Sequence, residues 1–214
     1  MSVIMLSTTV QIFNVYKVFQ KDKQERLDTY LKSIRQWINT DFKILVVDNS
    51  GYTFPELERK NNLHILSFTY DNVKPSDYIL KSVNKGHHEL FSLHYALQHI
   101  PKEWDYTKVF KLTGRYFIPN FKEYVDMIPE KSRYYIQNKE TRCELFGCNK
   151  KYIDNLFVYP EKSKHRNKNL ETIKKIIIDD LVEEHGSKDI IHKFDELMVV
   201  PVIKGSRNTL MTKI

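Results

Sequence analysis

Lys43-Ile44-Leu45-Val46-Val47-Asp48 is the stretch that decides the fold. Its unbroken aliphatic and β-branched run has no polar face. Both faces must therefore be covered, as they are in a parallel sheet. Asn49-Ser50-Gly51 ends it in a turn. Two further runs, Val3–Leu6 and Leu63–Phe68, read the same way, the first ending in Ser7-Thr8-Thr9. Another lies at Lys108-Val109-Phe110-Lys111-Leu112, which breaks at Thr113-Gly114-Arg115. Helical spacing fills the gaps: Leu27, Leu31, Ile34 and Ile38 within 22–39, then Leu90, Leu93, Leu97 and Ile100 from Gly86 to the stop at Pro101. The first half thus alternates strand and helix, and predicts an α/β fold with a central, mostly parallel sheet flanked by helices on both faces.

Residues 70–85 read as a long polar loop, a kind of segment that is often functional. The second half is less regular. Tyr134–Ile136 and Cys143–Cys148 read as strands, and 169–184 as a helix with Leu170, Ile173, Ile177 and Leu181 inward. Leu197–Ile203 reads as a last strand, and its Pro201 suggests an edge or a bulge. No repeat, low-complexity tract or linker interrupts the chain, so 1–214 is expected to be one domain.

Hydrophobic residues make up 41% and charged residues 29% of the 214, values of an ordinary globular protein. No run of about 18 apolar residues exists, so no membrane span is expected. The N-terminus lacks the basic start and cleavage site of a signal peptide, and Cys143 and Cys148 make no disulfide framework. A cytoplasmic protein with reduced thiols is the expectation. The net charge of +7 suits an anionic partner. Its densest stretch, Lys162–Lys168, reads as a solvated loop or as a contact for anionic lipid or acceptor.

Ligands in open α/β sheets sit beyond the carboxyl ends of the strands. Ser7-Thr8-Thr9, Asp48-Asn49-Ser50 and Thr113-Gly114-Arg115 all fall there. Asp48 can accept from a ribose hydroxyl or base N–H, or it can cap its own turn. Gly114 allows close backbone approach, and Arg115 can fork onto a phosphate. Asn84-Lys85-Gly86-His87-His88-Glu89 opens a helix whose N-terminus favours anions. Lys85 adds a cation there. The two histidines diverge by about 100° on a helix, so they make a poor metal pair and read as surface residues. Glu89 either complements the helix dipole or binds substrate. Glu144, on a predicted strand, is a candidate general base or a water-facing edge residue. Lys204-Gly205-Ser206-Arg207 can close over a phosphate or form a basic tail. Cys143 and Cys148, five apart on that strand, are expected on opposite faces as core residues. The chain has no Gly-x-Gly-x-x-Gly, no Gly-x-x-x-x-Gly-Lys-Ser/Thr and no nucleophile elbow, which disfavours a Rossmann dehydrogenase, a P-loop NTPase and a serine hydrolase.

Strand–Ser-Thr-Thr, strand–Val-Val-Asp-Asn-Ser-Gly, Asn-Lys-Gly-x-x-Glu opening a helix, and Phe-Lys-Leu-Thr-Gly-Arg-Tyr follow in that order. This order resembles the GT-A fold glycosyltransferases that use nucleotide sugars. Within them it is most similar to small domains encoded by chlorella viruses and thought to help build capsid glycans. The resemblance implies a nucleotide-binding half, about 1–118, and an acceptor-side half, about 119–214. It implies transfer of a hexose from a UDP-sugar, UDP-glucose-like, to a glycan acceptor, in the host cytoplasm if the chain is viral. Thr8, Thr9, Asp48 and Asn49 would hold base and ribose. Lys85 would lie near base or diphosphate, and Thr113, Gly114 and Arg115 stand where the family carries its metal motif. Lys204, from its own turn, is a further candidate for the phosphates. The family also implies Mn2+ on the diphosphate, yet its metal motif Asp-x-Asp occurs nowhere in this chain. Asp77 is then the candidate metal ligand, and Glu144 and Asp77 the candidate bases, with retaining or inverting stereochemistry left open. A nucleotidyltransferase is an alternative that lacks its basic Gly-rich loop here. A nucleic-acid-binding α/β module is another, and it would interleave basic and aromatic residues on one face.

Overall fold

A computed structural model describes residues 1–12, 19–137, 142–157, 170–204 and 209–214. The expectations for Lys162–Lys168 and for Gly205–Arg207 lie outside these residues. In chain order the elements are β1 (Ser2–Thr8), α1 (Lys23–Trp37), β2 (Lys43–Asp48), β3 (Leu63–Ser67), α2 (Tyr70–Val73), α3 (Asp77–Leu80), α4 (Lys85–Leu97), β4 (Lys108–Thr113) and α5 (Phe121–Asp126). They continue with β5 (Tyr134–Gln137), β6 (Leu145–Asn149), α6 (Ile153–Leu156), α7 (Leu170–His185), β7 (Ile191–Phe194), β8 (Met198–Ile203) and β9 (Leu210–Lys213).

Seven strands form one mixed sheet in the order β3-β2-β1-β4-β6-β5-β7. Six run the same way. Only β6 is reversed, pairing antiparallel with both β4 and β5. The fold is therefore α/β with a mostly parallel sheet and helices packed on it. The unbroken apolar runs follow directly from this layering, because successive residues of one strand enter opposite layers. Ile4, Leu6, Ile44, Val46, Phe110 and Leu112 pack with Leu27, Leu31 and Ile34 of α1. Val3, Met5, Leu45, Val47 and Val109 pack with Leu90 and Leu93 of α4 and Leu170, Ile173 and Leu181 of α7. Asp22 caps α1 by accepting from the Glu25 N–H at 2.8 Å.

Several expectations change. No helix joins β2 to β3; Phe54 and Leu57, both buried, supply the covering layer from an irregular segment instead. Phe54 takes φ 49° to do so. The polar loop 70–85 contains α2 and α3. The strand expected at Cys143 starts at Leu145, and both cysteines pack in the same layer rather than on opposite faces. Both are free and buried, and burial pushes the Cys143 thiol up to about 12. β8 pairs with β9 in a separate two-stranded sheet, with a register irregularity between Met198 and Val202 that accommodates Pro201. Among the described residues no helix is long and apolar enough to cross a membrane.

Candidate active site at the strand ends

The carboxyl ends of β1, β2 and β4 and the amino end of the reversed β6 meet at one edge of the sheet. Two backbone bonds close this edge: the Gly114 N–H donates to the Ser7 carbonyl at 2.8 Å, and the Thr113 N–H to the Glu144 carbonyl at 2.9 Å. The glycine is required by that approach. A Cβ at position 114 would stand 2.5 Å from Thr8 Cγ2 and 2.9 Å from the Ser7 carbonyl oxygen.

At the β1–β2 corner Asp48 is fully buried. Its Oδ1 accepts from the Ser50 N–H at 2.8 Å, the Ser50 hydroxyl at 2.6 Å and the Tyr52 N–H at 3.1 Å. Its Oδ2 accepts from the Thr8 hydroxyl at 2.9 Å and the Val10 N–H at 3.2 Å. Five donors meet a group with about four lone-pair sites. Asp48 thus binds its own turn to the loop after β1, and its oxygens are already engaged. Thr9 donates to Asn49 Oδ1 at 2.7 Å, and Asn49 Nδ2 donates to Ser92 of α4 at 3.2 Å. Two separate side-chain pairs, Thr8–Asp48 and Thr9–Asn49, thus tie the end of β1 to the turn after β2.

The β4–β6 corner is charged. Glu144, only 12% exposed in its side chain, lies with Oε1 3.2 Å from Arg142 Nε and 3.5 Å from Lys204 Nζ. The Arg142 contact is an ion pair by distance, but neither Arg142 Nε nor Glu144 Oε2, both buried, has a hydrogen-bond partner. Burial alone would raise the Glu144 carboxyl; Arg142, its own backbone N–H, Lys204 and Lys111 together outweigh burial and hold it below its ordinary value. Behind it, the buried Lys111 reaches Glu89 Oε1 at 2.8 Å, Thr113 Oγ1 at 3.2 Å and the Cys143 carbonyl. Ser7 donates to the same Glu89 oxygen at 2.7 Å. Lys174 of α7 donates to the Arg142 carbonyl, and burial lowers its amine. Sequence reasoning passed over Arg142 and Lys174. Their signal was only a basic residue beside Cys143 and a lysine on the inward face of a helix.

Other candidates lie elsewhere. Lys85 is exposed at the first residue of α4. Gly86 lets α4 approach α7, since a Cβ there would stand 2.8 Å from Leu170 Cβ. The histidines are not surface residues. His87 is buried against Tyr78, Ser82 and Asn84, and His88 stacks on Tyr70 with its Nδ1 2.6 Å from the Tyr70 hydroxyl. Arg115 is buried against α1: its Nη1 donates to Gln20 Oε1 at 2.7 Å, and the guanidinium lies 5.6 Å from the centre of the Tyr30 ring.

Among the described residues no protein donor set is gathered for the Mn2+ that the resemblance implies. A divalent cation of this kind takes several oxygen ligands. Among the described residues no three His, Cys, Asp or Glu are grouped to hold a metal. Asp77 is on the surface and pairs with Lys81 at 2.7 Å. Glu89 and Glu144 are already paired with basic side chains.

No protein-family model and no curated protein matches the chain. Seven solved chains do. One is the galactosyltransferase LgtC in complex with donor and acceptor sugar analogues, at 11% identity and a TM-score of 0.39, covering 90% of this chain and 66% of that one. The chain thus spans just under two thirds of that protein's length, and a likeness this distant assigns no activity.

Proposed function

We propose that the protein is a GT-A-type glycosyltransferase, a single domain over 1–214 that moves a hexose from a UDP-sugar to a glycan acceptor. The observation that carries this reading is Glu144: a largely buried carboxylate with one oxygen buried and unpartnered, beside the end of β4 and two cations. An ionised carboxylate with a free lone pair can take the proton of an acceptor hydroxyl as that oxygen attacks the anomeric carbon. Arg142 and Lys204 bear on Oε1 and leave Oε2 for this proton. The same cations, with Lys111 behind them, lower the energy of a diphosphate that departs as an anion. Thr113 and Gly114 would bring the strand end against the phosphates. The Thr8–Asp48 and Thr9–Asn49 pairs would offer base and ribose a fixed wall of loop backbone rather than the Asp48 carboxylate itself. The viral capsid setting rests on the sequence resemblance, and a cytoplasmic location on the N-terminal sequence and the two cysteines.

The test has two readouts. UDP should raise the melting temperature in EDTA more than GDP or CMP does; at 100 times its dissociation constant it adds about 2.7 kcal/mol. Glu144→Gln should keep UDP binding while UDP release from UDP-glucose, with a panel of glycan acceptors, falls by about 10²–10⁴-fold. Equal shifts from all three nucleotides would remove the uridine claim, and unchanged turnover in the variant would remove the base.

A further inference from the structure

Between α1 and β8 lies a cleft of about 230 Å3 that the strand-end chemistry does not use. Asp28, Lys32 and Ser33 line it from α1, Val200 and Val202 from β8, and Arg115 from the segment after β4. Two of these side chains lack a sufficient partner set. Arg115, 8% exposed, uses Nη1 for Gln20 Oε1 and for the Ile203 carbonyl at 3.4 Å. Its Nε and Nη2 make no hydrogen bond, and the guanidinium no ion pair, among the described residues. Ser33 is 2% exposed, and its hydroxyl has no hydrogen-bond partner at all. A serine inside a helix ordinarily returns its hydroxyl to the carbonyl four residues back. Here the oxygen is buried at the cleft wall and does not, although an unmet buried polar group destabilises the fold.

We propose that this cleft binds a small organic carboxylate, the anion forked by the Arg115 guanidinium and hydrogen-bonded by Ser33, its carbon body on Val200 and Val202. The Nε–Nη2 edge of a guanidinium matches the two oxygens of a carboxylate. The Tyr30 ring at 5.6 Å holds the guanidinium plane in place before a ligand arrives. Charge selects the valence: Arg115 and Lys32 against Asp28 leave one net positive charge, which a monoanion neutralises, whereas a phosphate dianion also meets Asp28. The volume lies below the 300–1,000 Å3 usual for drug-sized ligands, so the occupant is a compact metabolite. The inference stands independently of the glycosyltransferase reading.

Amide and guanidinium NMR spectra of the full chain, titrated with acetate, D-glucuronate and inorganic phosphate at constant ionic strength, test it. Acetate and glucuronate should give saturable shifts at Ser33, Val202 and the Arg115 Nε–H, with phosphate at least tenfold weaker. Ser33→Ala should fold normally, because the hydroxyl has no partner to lose and alanine is the better helix former. That variant should bind both carboxylates about tenfold more weakly, and Arg115→Gln should show no saturable shift. Absence of saturation with either carboxylate, phosphate binding as tight as theirs, or full affinity in Ser33→Ala would each overturn the proposal.

Discussion

Two corners of the same sheet edge carry carboxylates, one buried and one largely so, and they are built in opposite ways. Asp48 receives five hydrogen bonds, three of them from backbone N–H groups of two different loops. Glu144 is held mainly by charge, from Arg142 and Lys204 on one oxygen, and its other oxygen is left unpartnered. The first arrangement is complete without a ligand and fixes the chain. The second gains from one, because a buried polar atom without a partner is destabilising until something bonds to it. Polar residues at the ends of strands therefore do not form one class: some are fully partnered within the fold and others keep an unpartnered atom.

The sharpest break of this contrast is Asp48→Ala. It removes the shared acceptor of five donors. The Val10 N–H keeps Ser50 Oγ and the Thr8 hydroxyl keeps the Val47 carbonyl, but the Ser50 and Tyr52 N–H groups and the Ser50 hydroxyl lose theirs, and the loss should be on the order of 3 kcal/mol. In a domain of this size that is a fall in Tm of roughly 6–12 °C. A loss under about 1 kcal/mol, measured by urea unfolding, would show that the corner is not the structural one. Asp48→Asn, which keeps one acceptor oxygen, should retain part of the difference.

Gly114→Ala comes next. The new methyl meets Thr8 Cγ2 and the Ser7 carbonyl oxygen well inside contact distance, where β1 and β4 join. Overpacking of this kind costs about 1–3 kcal/mol. Because it pushes the two corners apart, turnover should fall further than stability alone explains, and parallel assays of melting and of UDP release would separate the two losses.

The smallest effect sharpens the other side. The folded carboxyl of Glu144 lies below its ordinary value. Its contribution to stability is therefore fully present above the unfolded carboxylate range and is lost as pH falls through the lower folded value. Glu144→Gln should match the parent's melting temperature least well near neutrality and converge on it in acid. A constant gap from pH 7 to pH 3 would mean that the ion pairs with Arg142 and Lys204 contribute nothing.

Much of the framework was legible from local pattern. The apolar runs at Val3–Leu6, Lys43–Asp48 and Lys108–Leu112 have one comfortable environment, a strand covered on both faces, and the helical stripes of α1, α4 and α7 say what covers them. The strand-end polar segments could be placed at one edge for the same reason. What the sequence could not specify was partnership across long separations. β6 enters between β4 and β5 in reverse, and only that insertion sets Glu144 beside Thr113 and brings Lys204 to it across 60 residues. Asp48 meets Thr8 across 40 residues, and Ser7 meets Glu89 across 82. The burial of His87 and the turn of Arg115 toward α1 have the same origin. Composition and periodicity determined which residues must leave water and which end of the sheet would be polar. Tertiary structure alone decided which of those polar atoms are satisfied and which remain open, because hydrogen bonds depend on distances of a few tenths of an ångström that no local pattern encodes.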